Sequence, residues 1–341
     1  MTGADLPIVQ TGMGWVSGAR LTAATCSAGG FGILAAATMD FEQLTEAIDE
    51  VKSRTNKPFG VNMRADQADV HDRMKLLVDK KVKLASFAGA PKRDLIDFLN
   101  ENDILSMPTI GRKRHAVKMQ EWGVSAVIAQ GHEGGGHTGP VPTSILLPEC
   151  TGAVDIPVLG AGGFRDGRGL VAALAYGADG IAMGTRFLLT KESTVPADVK
   201  EVYLKIDERH TVVTTAIDGA PQRVIQTELI RSLEAAGSLA KLWIAVKHGL
   251  AFKKDSGMGF FELWNEAKGM KKTQDLTWPQ LFMAANAPMM TKLSLVDGRP
   301  ESGILPTGQV AGTIDSLPHV REVLDAIVTE ANEALASLGV P

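Results

Sequence analysis

The chain has 341 residues, 45% of them hydrophobic and 22% charged, with a formal net charge of -4. This is ordinary globular material, long enough for one large domain or two smaller ones, and with no block of Lys and Arg it excludes nucleic acid as an expected partner. No window approaches the roughly 20 apolar residues that cross a bilayer, and no basic region followed by an apolar one opens the chain, so a cytoplasmic protein away from membranes is expected.

Eight short apolar runs follow one another: "IVQTGM" (8–13), "FGILAAA" (31–37), "FGVNMR" (59–64), "KLASFAG" (83–89), "ILSMPTI" (104–110), "AVIAQG" (126–131), "PVLGAGG" (157–163) and "GIAMGTRF" (180–187). Each is rich in β-branched or small residues and bounded by turn formers, which predicts strands. Helical patterns lie between them. Phe41, Leu44, Ile48 and Val51 share one face of the first clear pattern, and Leu170, Ala173, Leu174 and Ala178 share one face of a later pattern. Strand–helix alternation implies parallel strands with crossover helices, and eight units predict a closed (β/α)8 TIM barrel over residues 1–194. An open doubly wound sheet is the rival, and it accounts less well for eight strands.

After Arg186 the rhythm stops. Residues 195–300 read as a mostly helical, substrate-side region. Residues 301–341 read as a segment and a C-terminal helix, "HVREVLDAIVTEANEAL", packing back on the barrel. Cys26 and Cys150 make neither a metal spacing nor a disulfide framework and read as buried thiols. No His/Cys/Asp/Glu cluster has ligand spacing, so no metal is expected.

Barrel chemistry collects at the C-terminal ends of strands. There the chain places "GHEGGGHTG" after strand six, "GAGGF" after strand seven and "MGTRF" after strand eight. Glycine lets backbone approach a phosphate oxygen, so three such turns point to a phosphorylated cofactor. His137 closes the first loop and can move a proton near neutral pH. His132 reads equally as structural or solvent-facing, Glu133 as a brace that accepts N–H bonds, and Arg186 as a salt-bridged barrel residue or a phosphate ligand. His71, His115, His210, His248 and His319 read as surface residues.

"PIVQTGMGWVSGARLTAATCSAGGFGIL", "AQGHEGGGHTGP", "PVLGAGGFRDGRGLVAALAYGADGIAMGTRFL" and "LPTGQVAGTIDSLP" resemble the nitronate monooxygenase (2-nitropropane dioxygenase) family of FMN-binding barrels over nearly the full length. That group includes FMN-dependent enoyl-acyl-carrier-protein reductases. The resemblance implies non-covalent FMN with its phosphate on Gly163 and the Gly184–Thr185 turn. It implies an isoalloxazine against Thr11, Gly12, Met13 and Asn62, with Gln130 and Gly135 also touching it. Gly136, Gly162 and Met183 complete the implied cofactor-binding set, and His137 faces the flavin as catalytic acid or base.

"QTGMGWVSGARL", "KPFGVNMRAD", "EGGGHTGPV" and "AMGTRFLLTKESTVP" are similar to a branch of flavin dehydrogenases acting on bicyclic coenzyme A thioesters in steroid ring degradation. Typical nitronate enzymes read "EAGGH" and an "APM" turn where this chain has "EGGGH" and Thr11-Gly12-Met13, which counts against a nitronate as physiological substrate. The branch implies α-proton removal by His137 and hydride transfer from the β-carbon to FMN, with an unidentified electron acceptor. The rivals are nitronate oxidation by O2, NAD(P)H-dependent enoyl-thioester reduction, and a non-catalytic FMN-binding protein. Trp243, Phe260, Phe261, Trp264, Met283, Met289 and Met290 are candidates for an apolar mouth. Lys253, Lys254, Lys271 and Lys272 are candidates for the coenzyme A phosphates, against the simpler reading of a solvated face. Assembly into a homo-oligomer stays open.

Overall fold

The computed structural model describes residues 1–89, 91–235 and 278–339. Strands β1 (Ile8–Gln10), β2 (Phe31–Ala35), β3 (Gly60–Met63), β4 (Leu84–Phe87), β5 (Leu105–Ile110) and β6 (Val127–Gln130) are followed by the short β7 (Gly136–His137) and then by β8 (Val158–Ala161) and β9 (Gly180–Met183). All except β7 pair in parallel in the order β1-β2-β3-β4-β5-β6-β8-β9, and β9 returns to β1 through Val9↔Ala182. The sheet closes as a TIM barrel because its strands are buried on both faces and an edge would leave backbone groups unpaired. Val9, Ile33, Leu84, Met107, Ile128 and Leu159 fill the interior.

The connecting helices are α1 (Ala19–Ser27), α2 (Phe41–Arg54), α3 (Val70–Asp79), α4 (Arg93–Glu101), α5 (Lys113–Glu121), α6 (Thr143–Thr151) and α7 (Gly167–Ala175). The α2 start is fixed by a capping box: the Asp40 carboxylate accepts from Gln43 N at 2.8 Å, and Asp40 N donates to the Gln43 amide at 3.1 Å. Leu44, Ile48 and Val51 are buried as their spacing predicts, but Phe41, the first residue of the helix, is exposed. In α7 the buried set is Leu170, Val171 and Ala173, and Leu174 is exposed. The helix is turned this way because its other flank carries the C-terminal helix. Cys26 and Cys150 are buried, and burial pushes both thiols up to about 11.

Beyond the barrel come α8 (Thr185–Leu188), α9 (Ala197–Leu204), strands β10 (Thr211–Thr214) and β11 (Gln222–Ile225), then α10 (Glu228–Ala235), α11 (Trp278–Leu295) and α12 (Val320–Ser337). Helix α12 packs on α7 and α1. The β10–β11 pair is an antiparallel hairpin that the helical reading of this region did not contain. Its inner edge continues onto the loop after β6: β11 pairs antiparallel with β7 through Gln222↔His137 and Arg223↔Gly136. Behind the hairpin, Ile217, Val224, Ile230, Leu233, Ile304 and Met290 form a small core. Met290 is therefore a packing residue and not part of an apolar mouth. No described helix is long and apolar enough to cross a membrane.

Candidate active site

The ends of β1, β3 and β9 meet at the barrel mouth. Thr11 N donates to the Met183 carbonyl at 3.1 Å, and the Thr11 hydroxyl donates to the same oxygen at 3.3 Å. The buried Asn62 packs on Gly12, and Gly184 abuts the side chains of Thr11 and Met13. Met13 N donates to the Ser17 hydroxyl at 2.9 Å, which holds the turn after β1. Thr11, Gly12, Met13, Asn62, Met183 and Gly184 thus form one continuous patch.

The glycine loop after β6 is built by close approach. A Cβ on Gly131 would run into Thr143, and one on Gly135 would run into the Thr307–Gly308 backbone. Glu133 ties this loop down: its carboxylate accepts Thr143 N at 2.9 Å and the Thr143 hydroxyl at 2.7 Å. Its carbonyl accepts Gln309 N at 2.9 Å. Gly308 N donates to the Thr185 hydroxyl at 2.9 Å, which adds the 307–309 segment to the site. Gln130 Nε2 donates to the His137 carbonyl at 2.8 Å. His132 Nδ1 lies 2.9 Å from the Gly139 carbonyl, a bond inside the loop. Glu133→Ala is expected to cost about 1.5–3 kcal/mol, because two donors lose a charged acceptor, and the loss should appear as a lower urea midpoint.

After β8 the chain passes through Gly162 and Gly163 with φ of 98° and 82°, a conformation that costs other L-residues about 1–2 kcal/mol. Gly162 faces the glycine loop, with its carbonyl 3.1 Å from the Thr143 hydroxyl. Arg186, one residue past Thr185, is buried and donates to the carbonyls of Leu189 and Ser316. Burial brings its guanidinium down to about 10, and it is a structural donor to backbone.

His137 stands at the end of β7 with its side chain 66% exposed, and its Nε2 lies 2.7 Å from Oδ2 of Asp218, whose side chain is only 13% exposed. The Asp218 hydrogen bond raises the imidazole above its ordinary value; desolvation and the Arg64 charge act in the opposite direction and are outweighed. Burial pushes the Asp218 carboxyl up, but the His137 bond and charge, together with Ala220 N–H and the Gln222 amide, hold it below the usual carboxylate range. Asp218 was not among the sequence candidates. A signal for its turn was present: "DG" (218–219), between "TVVT" and "QRVI", is a turn-forming pair.

Gly136 has φ of 64° and lies open at the mouth beside His137. The structure therefore brings His137 and the glycine turns to one end of the barrel. His71, His210 and His319 are exposed. Trp243, Phe260, Phe261, Trp264, His248, Lys253, Lys254, Lys271 and Lys272 lie outside the described residues, as does the Met283 side chain. Among the described residues no group of three or more His, Cys, Asp or Glu side chains could hold a metal ion.

Fold and site together define a (β/α)8-barrel enzyme, an oxidoreductase. The chain belongs to the nitronate monooxygenase family, whose profile matches residues 1–77 and 70–330. It is 51% identical over 339 residues to the (3aS,4S,5R,7aS)-5-hydroxy-7a-methyl-1-oxo-octahydro-1H-indene-4-carboxyl-CoA dehydrogenase of Rhodococcus jostii strain RHA1, covering 99% of this chain and 96% of that one. The Mycobacterium tuberculosis protein of the same description is 51% identical over 334 residues, covering 97% of this chain and 94% of its own. Among solved structures, FabK from Thermotoga maritima superposes with a TM-score of 0.80 at 32% identity, covering 99% of this chain and 96% of that one.

Proposed function

We propose that the protein is an FMN-dependent dehydrogenase of a bicyclic, steroid-derived acyl-CoA thioester, with His137 as the proton-moving group. The observation that carries the reading is the imidazole held at the same barrel mouth as the glycine turns. The 51% identity to two octahydro-indene-carboxyl-CoA dehydrogenases favours a CoA thioester over a nitronate as substrate.

The residues present fit a flavin mononucleotide. Gly163 has left-handed backbone, and a Cβ there would come within 3.7 Å of the Glu133 Cβ, so its absence leaves a cradle suited to a phosphate group. Gly184 and Thr185 supply the second turn, and Thr11, Gly12, Met13, Asn62, Gln130, Gly135, Gly136, Gly162 and Met183 make up the rest of the cofactor-binding set. When bound, the flavin supplies the two-electron acceptor for the hydride that leaves the β-carbon. His137 takes the α-proton that a thioester carbonyl acidifies. Asn62 and Gln130 offer amides to a ring edge. Residues 1–194 act as the cofactor barrel and residues 195–300 as the substrate side. The final electron acceptor would lie outside the chain.

The test is direct. Heating pure protein should release FMN in near-equimolar amount. Anaerobic mixing with the bicyclic indane carboxyl-CoA should bleach the flavin band, and a nitroalkane nitronate should turn over poorly. High kcat/KM with the nitronate, together with no bleaching by acyl-CoA thioesters, would overturn the assignment.

A further inference from the structure

We infer that Asp218 is a positioning residue that holds the His137 ring through Nε2, so that Nδ1 is the atom that exchanges the substrate proton. This rests on the reading of His137 as the proton-moving group, but its tests can be read without any substrate.

A carboxylate only accepts hydrogen bonds, so the nitrogen 2.7 Å from Oδ2 must carry the hydrogen. A neutral imidazole has one N–H, and the lone pair then sits on Nδ1. His137 is largely exposed, and without a partner its ring would be free to turn. Asp218 is not free to follow it. Its Oδ1 accepts Ala220 N at 3.1 Å, and the Gln222 amide also bonds the carboxylate. Gln222 is itself the β11 residue registered with His137, so one ladder fixes both the imidazole and the turn that bears its partner. This is base-plus-orienter logic, with the orienting acid supplied from outside the barrel. When Nδ1 takes a proton, the imidazolium forms beside a carboxylate already in contact with it, and the ion pair stabilises the product of the step.

Among the described residues two charged side chains act on the ring: Asp218 from the hairpin turn, and Arg64 from the segment after β3. Arg64 is paired with Asp66 at 2.8 Å and opposes protonation of the imidazole. Removing only the carboxylate charge should therefore lower the pH at which the ring titrates.

The variant is Asp218→Asn, which keeps an oxygen for Ala220 N–H and removes the charge. In flavin-loaded protein carrying 15N-histidine, the His137 resonance, assigned by its loss in His137→Ala, should report Nε2–H and bare Nδ1. In Asp218→Asn its titration midpoint should fall, and the acid limb of the rate profile should move to lower pH with it. The rate at optimal pH should drop about 10²-fold, as for an acid–base group whose orientation is lost. A purely structural role for Asp218 would lower stability and leave the His137 tautomer and the rate at optimal pH in place. Nδ1–H in the wild type, or an unchanged midpoint in Asp218→Asn, would overturn the inference. If that variant fails to fold, the wild-type tautomer decides alone. A protein that ignores acyl-CoA but shows the Nε2–H signature would sink the substrate reading and leave this one standing.

Discussion

His137→Ala is expected to retain FMN and its spectrum while slowing substrate-driven flavin reduction by about 10² to 10⁴, the usual worth of a placed acid–base group. The variant should fold, because the main-chain role of this residue survives: its carbonyl still accepts Gln130 Nε2, and its backbone still pairs with Gln222. Only the exposed ring and its bond to Asp218 are lost. Stopped-flow mixing without oxygen measures the step. The pH dependence carries a second, independent sign. A base works only when deprotonated, and Asp218 raises this imidazole, so the wild-type rate should rise with pH through a midpoint above the ordinary value of about 6.5. That limb should vanish in the alanine variant. A rate and profile matching wild type would show that another group moves the proton.

Gly163→Val should weaken FMN binding by about 10²-fold or more, equivalent to roughly 3 kcal/mol, while the barrel stays folded. The position has φ of 82°, which a β-branched residue adopts only under strain. Yet a Cβ there would meet only the Glu133 Cβ, at 3.7 Å, which is ordinary contact. The cost therefore falls on the turn and on the space before it, with little consequence for the surrounding core. Dialysis followed by the flavin-to-protein absorbance ratio checks the loss, and the urea midpoint checks the fold. Gly131→Val makes the contrast: its Cβ would strike Thr143, so its penalty should appear first in stability.

The barrel was legible because parallel strands buried on both faces must be short apolar runs, and turn formers bound each of them. All eight runs became barrel strands in chain order. The glycine turns were legible for a related reason: at "GHEGGGHTG" and "GAGGF" the chain gives up side chains for close backbone approach and for left-handed turns. Local pattern failed where tertiary contacts decide. Leu174 satisfies the helical period but faces solvent, because α7 shares its flank with α12. The four-residue strands "TVVT" and "QRVI" are too short to outweigh a helical neighbourhood, although the Asp-Gly pair between them marks a turn. Asp218 was out of reach of any local pattern, because its partner lies 81 residues upstream.

That separation has a consequence for fluctuations of the native state. The cradle is built between neighbouring barrel strands, whereas the imidazole is secured by a two-residue strand and a hairpin whose outer strand is mostly half-buried. Protein segments open independently, and those with little buried surface open at the lowest free energy. Fraying of the hairpin would release the ring while the glycine turns stay closed, leaving a molecule that holds its prosthetic group but is momentarily silent. Amide protons of Val212 and Val224 should then exchange with solvent faster than those of Val9 and Ile128. The enzyme's idle time would be governed by this small sheet, independently of the melting of the barrel.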